Sequence, residues 1–157
     1  VEKKLIDCKG NVKTYWTGGD QLLALLRSGE IKAAMAWDAG GWKLNAENPA
    51  ISFVAPTSGA LGWIDTFALP RRGENEDAAY KWINFVMQPE IAAKITNQSG
   101  NFTAAKGADE FVTAELRDAY RQSFNEDALN NIKWYPPVPP GLEAMEGQVL
   151  DRVQAAN

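Results

Sequence analysis

Two hydrophobic periods alternate along this chain, and that alternation restricts the folds open to it more than any other feature. In "GGDQLLALLRSG" the residues Leu22, Leu25 and Leu26 recur at helical spacing, with Gly29 as a stop. In "IKAAMAW" every second residue, Ile31, Ala33, Met35 and Trp37, falls on one strand face. Val12, Thr14 and Trp16 predict a short strand before these, and "ISFVAP" and "GALGWIDTFALP" predict two more after them. Helical spacing then dominates. Asn75 can cap "EDAAYKWINFVM", where Ala79, Trp82, Ile83 and Val86 make one apolar stripe. Pro89 and Glu90 open a further helix through Ile91, Ala92 and Ile95, stopped near Gly100, and "TAELRDAYRQSF" follows as another. "WYPPVPPG" is rigid and extended because its prolines block both helix and ladder bonding, and Leu142, Met145, Val149 and Val153 mark a last amphipathic helix. Short strands interleaved with helices imply an α/β fold.

A length of 157 residues is enough for one ordinary domain with its own core. The balance of 45% hydrophobic and 23% charged residues is that of a globular chain, not a disordered one. A net charge of −4 without any basic block argues against a nucleic-acid partner. There is no histidine, which removes the usual general base, the Ser-His-Asp arrangement and most zinc sites together. The lone Cys8 precludes an internal disulfide. No apolar run is long enough to cross a bilayer, and no charged-then-apolar leader opens the chain, so as given it does not read as an unprocessed export precursor.

The sharpest local question is Asp65. Strand spacing puts Trp63, Asp65, Phe67 and Leu69 on one face and Ile64, Thr66 and Ala68 on the other, which predicts a strand covered on both sides. A carboxylate withdrawn from water there is costly unless something pairs with it. Two partners are open: Arg71 or Arg72 nearby, or a ligand. Trp63 and Asp65 would stand about 6–7 Å apart, a ring face beside a carboxylate, which suits an organic ammonium. Trp37 ends a predicted strand and is followed by Asp38 and a turn at Ala39, Gly40 and Gly41, the place where α/β sheets collect ligands. Each of these tryptophans also has an ordinary reading as core filling, as do all six in the chain. The loop "NQSGNFTAAKGA" presents Asn101, Phe102 and Thr103, and "TYWTGGD" offers amides to an anion but lacks the lysine of a phosphate loop. Asp38 with Asp65 supplies the carboxylate pair that a carbohydrate-active enzyme would use.

Four stretches, "LLRSGEIKAAMAWDAGGW", "GALGWIDTFALP", "NEDAAYKWINFVMQPEIAAKI" and "SGNFTAAKGA", together resemble the periplasmic spermidine/putrescine-binding proteins of ABC transporters. They keep the family's order and spacing over most of residues 14–107, with a looser match through "WYPP" to the last helix. The resemblance implies a type II periplasmic-binding-protein fold, α/β and two-lobed, closing on its ligand. It falls on the family's carboxyl-terminal half and so implies pieces of both lobes: 1–58 mainly the second lobe, 59–107 returning to the first, 108–157 crossing back. A chain of that kind is expected to self-associate or domain-swap to complete its sheets.

Carried over residue by residue, the resemblance puts the cleft aromatics on Trp37 and Trp63 and the ammonium-binding carboxylate on Asp65, with Asp38 and Asn101 as further contacts. Two positions depart from the family: Gly40 stands where diamine binders place an acidic residue, and Asn101 where they place a tyrosine. The implied function is binding of polyamines or, given those departures, of an amino-acid-like monoamine such as 4-aminobutyrate. The implied partners are a small organic amine and a membrane permease, without nucleic acid or cofactor. The implied place is the periplasm, or outside the cell on a lipid anchor in a full-length protein.

Overall fold

The structure, a computed structural model, describes residues 1–156. Among the described residues the α-helices are α1 (Glu2–Cys8), α2 (Gly19–Ser28), α3 (Asp38–Glu47), α4 (Glu76–Val86), α5 (Pro89–Ser99), α6 (Ala114–Ser123), α7 (Glu126–Asn130) and α8 (Leu142–Ala155). The strands are β1 (Leu61–Gly62) and β2 (Lys133–Trp134), paired in parallel. By its internal contacts the chain divides into two units, Val1–Ala34 with the stretch from Tyr135 onward, and Met35–Trp134.

Helix boundaries follow local chemistry. α2 closes on Gly29 and α5 on Gly100, both in the left-handed conformation that lets a helix end without a side-chain clash. Pro89 occupies the first turn of α5, where its missing N–H costs nothing. The Thr113 hydroxyl accepts the Leu116 N–H to start α6, and the Asn125 side chain accepts the Ala128 N–H to start α7. Asn75 does stand at the start of α4, although its side chain makes no capping bond.

The strand expectations are corrected. Segments 12–16, 31–37 and "ISFVAP" form no strands. A strand exists only through bonds to a neighbour, and the described residues provide one such pairing, Leu61 with Lys133 and Gly62 with Trp134. In "ISFVAP", the Ala55 N–H bonds the Ser123 carbonyl at a helix end (2.9 Å) instead of joining a ladder. Residues 63–68, expected to be covered on both faces, are open to solvent: Trp63 is 45% exposed, Ile64 67% and Phe67 55%, and Asp65 is exposed with them. The glycines expected in a turn at 40–41 lie inside α3. Phe53 explains Gly41, since a methyl there would sit 2.7 Å from the Phe53 side chain.

In the first unit, the Arg152 guanidinium on α8 donates two bonds to the Glu2 carboxylate on α1, at 2.9 and 2.8 Å. Lys9 donates to the carbonyls of Gln154 (2.7 Å) and Ala156, closing the end of α8. Leu22 on α2 and Val153 on α8 are its buried residues, and the Cys8 thiol at the end of α1 is exposed. The bond from Arg152 is the largest cause holding the Glu2 carboxyl below its ordinary value of 4.5. A carboxyl lowered by folding contributes stability that is complete above its unfolded value and lost as pH falls through its folded value. Acid titration followed by circular dichroism should therefore show α1–α8 weakening below pH 4.5 in the native chain. With Glu2→Gln that acid-dependent component should vanish, and an unchanged profile would remove the pair from the account.

In the second unit, Ala92 and Ala93 of α5 pack on Ala105, Ala108 and Val112, with Leu116 of α6 at the edge. Small side chains let these segments approach closely. Asn97 ties the loop to the next helix by donating to the Phe111 carbonyl (3.2 Å) and accepting the Thr113 N–H (2.9 Å).

Candidate functional site

Two of the site candidates, Trp37 and Asp38, stand at the start of α3. Trp37, 49% exposed, is its extended N-cap residue, and Asp38 opens the helix. The Asp38 carboxylate accepts the Ala39 N–H at 2.8 Å, and a negative charge in this turn is favoured by the helix dipole. Four and six residues after Asp38, α3 is fastened by Trp42 and Leu44, both buried.

Trp42 is the hub of an aromatic cluster. Its indole N–H donates to the Ser123 hydroxyl at 2.8 Å. Its ring meets Phe53 at 5.9 Å and 73°, Phe102 at 5.8 Å and 79°, and Phe124 at 6.3 Å and 72°, the edge-to-face geometry that aromatic quadrupoles prefer. Tyr120 lies against Phe102 (4.8 Å) and stacks on Phe124 (4.9 Å, 29°). The cluster thus holds α3, the loop after α5 and α6 in one arrangement. That loop rests directly on the start of α3, since a methyl at Gly100 would lie 3.0 Å from the Ala39 methyl. Burial, and secondly the negative charge of Asp38, raise the Tyr120 phenol above the ordinary tyrosine value.

Asp38 and the loop carrying Asn101 are therefore neighbours. Asn101 is exposed, its backbone N–H bonded to the Ser99 hydroxyl at 3.0 Å. Trp63 and Asp65 lie apart from this group in the pattern of bonds: among the described residues no hydrogen bond, ion pair or ring contact ties either to Asp38 or Asn101. Asp65 is also without a hydrogen bond or ion pair among the described residues, so Arg71 and Arg72 are not its partners. A shallow pocket of about 240 Å³ beside the cluster, lined by Trp42, Asn45, Phe53 and Ser123 among others, contains none of the expected site residues. Of the tryptophans read as core filling, Trp42 is buried, whereas Trp37, Trp63, Trp82 and Trp134 are 45–58% exposed. Sequence reasoning missed Trp42 and Tyr120. The signal was there in part, because Tyr120 and Phe124 stand four residues apart on what is helix α6 and its cap.

Among the described residues there is no group of side chains fit to hold a metal ion, and no helix is long and apolar enough to cross a membrane. The family described as bacterial extracellular solute-binding proteins matches residues 3–121. The putrescine-binding periplasmic protein PotF of Escherichia coli is 29% identical over 120 residues, which is 73% of this chain and 32% of that protein. Spermidine/putrescine-binding periplasmic protein 1 of Haemophilus influenzae is 26% identical over 154 residues, 98% of this chain and 42% of its own length. The putrescine-binding periplasmic protein SpuD of Pseudomonas aeruginosa is 31% identical over 91 residues, 57% of this chain and 24% of its own. The chain thus spans less than half the length of these relatives. Since the match over residues 3–121 takes in more than half of the chain, the chain belongs to the family of bacterial extracellular solute-binding proteins.

Proposed function

We propose that the chain serves in the solute-binding component of an ABC transporter for polyamines or related amines, acting outside the cytoplasm and not as an enzyme. Trp63 and Asp65 receive an ammonium group, Trp37 stacks on the adjoining methylenes, and Asp38 and Asn101 complete the contacts. The observation that carries this reading is the solute-binding family match over residues 3–121, which spans Trp37, Asp38, Trp63, Asp65 and Asn101, together with relatives whose names give putrescine and spermidine as ligands. In a full-length protein of the family, 1–58 and 108–157 belong mainly to the second lobe and 59–107 to the first, and lobe closure on the amine presents the complex to a membrane permease. The exposed apolar residues of 63–68 are supported in that reading as faces the rest of such a fold covers. Gly40 and Asn101 favour 4-aminobutyrate as a competing ligand, because each removes a group that a second ammonium would use.

Isothermal titration calorimetry with putrescine, spermidine and 4-aminobutyrate tests this. Asp65→Asn should weaken the preferred amine by about tenfold to a hundredfold, the loss of a hydrogen bond to a charged group. Equal affinity in the variant would remove Asp65 from the site. Heats no larger than those of dilution for all three ligands would remove the amine function.

A further inference from the structure

Asn101 stands between two residues that are each seated on α3. Gly100, the left-handed cap of α5, lies so close to Ala39 that an added methyl would stand 3.0 Å from the Ala39 methyl and 3.3 Å from its Cα. The Phe102 ring meets Trp42 edge-on, at 5.8 Å and 79°, and lies 4.8 Å from Tyr120. Ala39 and Trp42 are three residues apart on one helix, so they share a face. Gly100 precedes Asn101 and Ala39 follows Asp38, so the first contact sets two stretches of candidate ligand contacts side by side. Local bonds also order the loop: the Asn101 N–H donates to the Ser99 hydroxyl (3.0 Å) and the Ala105 N–H to the Thr103 hydroxyl (3.1 Å).

We propose that Gly100 and Phe102 are positioning residues of the amine site, seating their loop on Ala39 and Trp42 and so fixing the reach of Asn101 relative to Trp37 and Asp38. This rests on the amine reading above and deepens it. A methyl at position 100 forces loop and helix apart by a few tenths of an ångström, because the Ala39 methyl already fills the space. The two positions are complementary: a side chain on one requires its absence from the other. Phe102 cannot slide to compensate, since the Trp42 ring beside it is buried and bonded to Ser123. Binding groups must sit within about 0.5 Å of their productive geometry, so a shift of that size is felt by the ligand.

Calorimetry with putrescine and thermal melting, applied to Gly100→Ala, Ala39→Gly and the two combined, test this. Gly100→Ala should weaken putrescine binding by about threefold to tenfold, a part of the roughly hundredfold that a full 1 Å misplacement can cost. It should also lower the melting temperature, because alanine is strained at φ +79. In the combined variant the affinity should return to that of Ala39→Gly while the melting temperature stays low. A merely structural defect would move both together. Phe102→Leu, apolar but without a ring, should weaken putrescine by a similar factor. Parental affinity in Gly100→Ala or in Phe102→Leu, or a loss that Ala39→Gly does not restore, overturns the inference. If Asp65→Asn loses putrescine binding while these variants keep it, the amine reading stands without the seat. If the unsubstituted chain gives no heat with putrescine, both fall.

Discussion

Truncating Trp42 to alanine should destabilise the second unit by about 3–5 kcal/mol, the range for deleting a large buried aromatic. The indole is 7% exposed and touches rings from three separate stretches, Phe53, Phe102 and the Tyr120–Phe124 pair. Removing it opens a void that those rings cannot fill without leaving their edge-to-face positions. It also strips the Ser123 hydroxyl, only 5% exposed, of its donor. Against a typical net stability of about 5–15 kcal/mol, such a loss is a large share of the whole. Urea unfolding followed by circular dichroism measures it, with Trp42→Phe as the control. That variant keeps much of the ring and loses the N–H, so the lost bond itself should cost about 1 kcal/mol. A Trp42→Ala midpoint within error of the parent would mean that the cluster does not organise the unit.

Gly59→Ala should be nearly as damaging, although it adds one methyl. Gly59 has φ +120, a backbone conformation that side chains rarely allow, and the added carbon would lie 2.3 Å from the Asn131 carbonyl oxygen. The cost is about 3 kcal/mol, combining backbone strain of roughly 1–3 kcal/mol with relief of an overlap worth roughly 1–3 kcal/mol. The place matters because the next residue, Ala60, accepts the Lys133 N–H at 2.8 Å and so sets the register of β1 on β2. Hydrogen exchange should show the Lys133 amide losing protection in the variant. Gly10→Ala, where nothing lies within 4 Å of the added methyl, is the matched control and should leave stability within about 0.5 kcal/mol. Retained protection at Lys133 would show that the loop yields.

The contrast between what the chain announces and what it conceals has a physical source. Helices α2, α4, α5, α6 and α8 were legible because their bonds run between residues four apart and their ends carry local markers: Gly29, Asn75, Pro89, Gly100 and Thr113. Strands need a distant partner, so the alternation in "IKAAMAW" and "ISFVAP" describes side-chain placement without guaranteeing a ladder. α3 was hidden by Gly40 and Gly41, residues that usually punctuate a turn, although Gly41 here makes room for Phe53. The five-residue α7 is too short for a period to show. For the site, Trp37, Asp38, Trp63, Asp65 and Asn101 could be picked out one by one from ring and charge placement and from resemblance. The seat of the Asn101 loop on α3 could not, because Gly100 and Ala39 are distant in the chain and meet only through the packing of Trp42, Phe102 and Phe124.

The exposed sulfur of Cys8 has a practical consequence for experiments on self-association. As the chain's single cysteine, it lets two copies become covalently linked in air, independently of any exchange of elements between them. A dimer band that disappears with reductant would report that linkage, whereas one surviving reductant and Cys8→Ser would report assembly through the fold. The same atom accepts a maleimide dye in one-to-one stoichiometry, giving a fluorescent reporter on α1, outside the Met35–Trp134 unit that holds every candidate ligand contact.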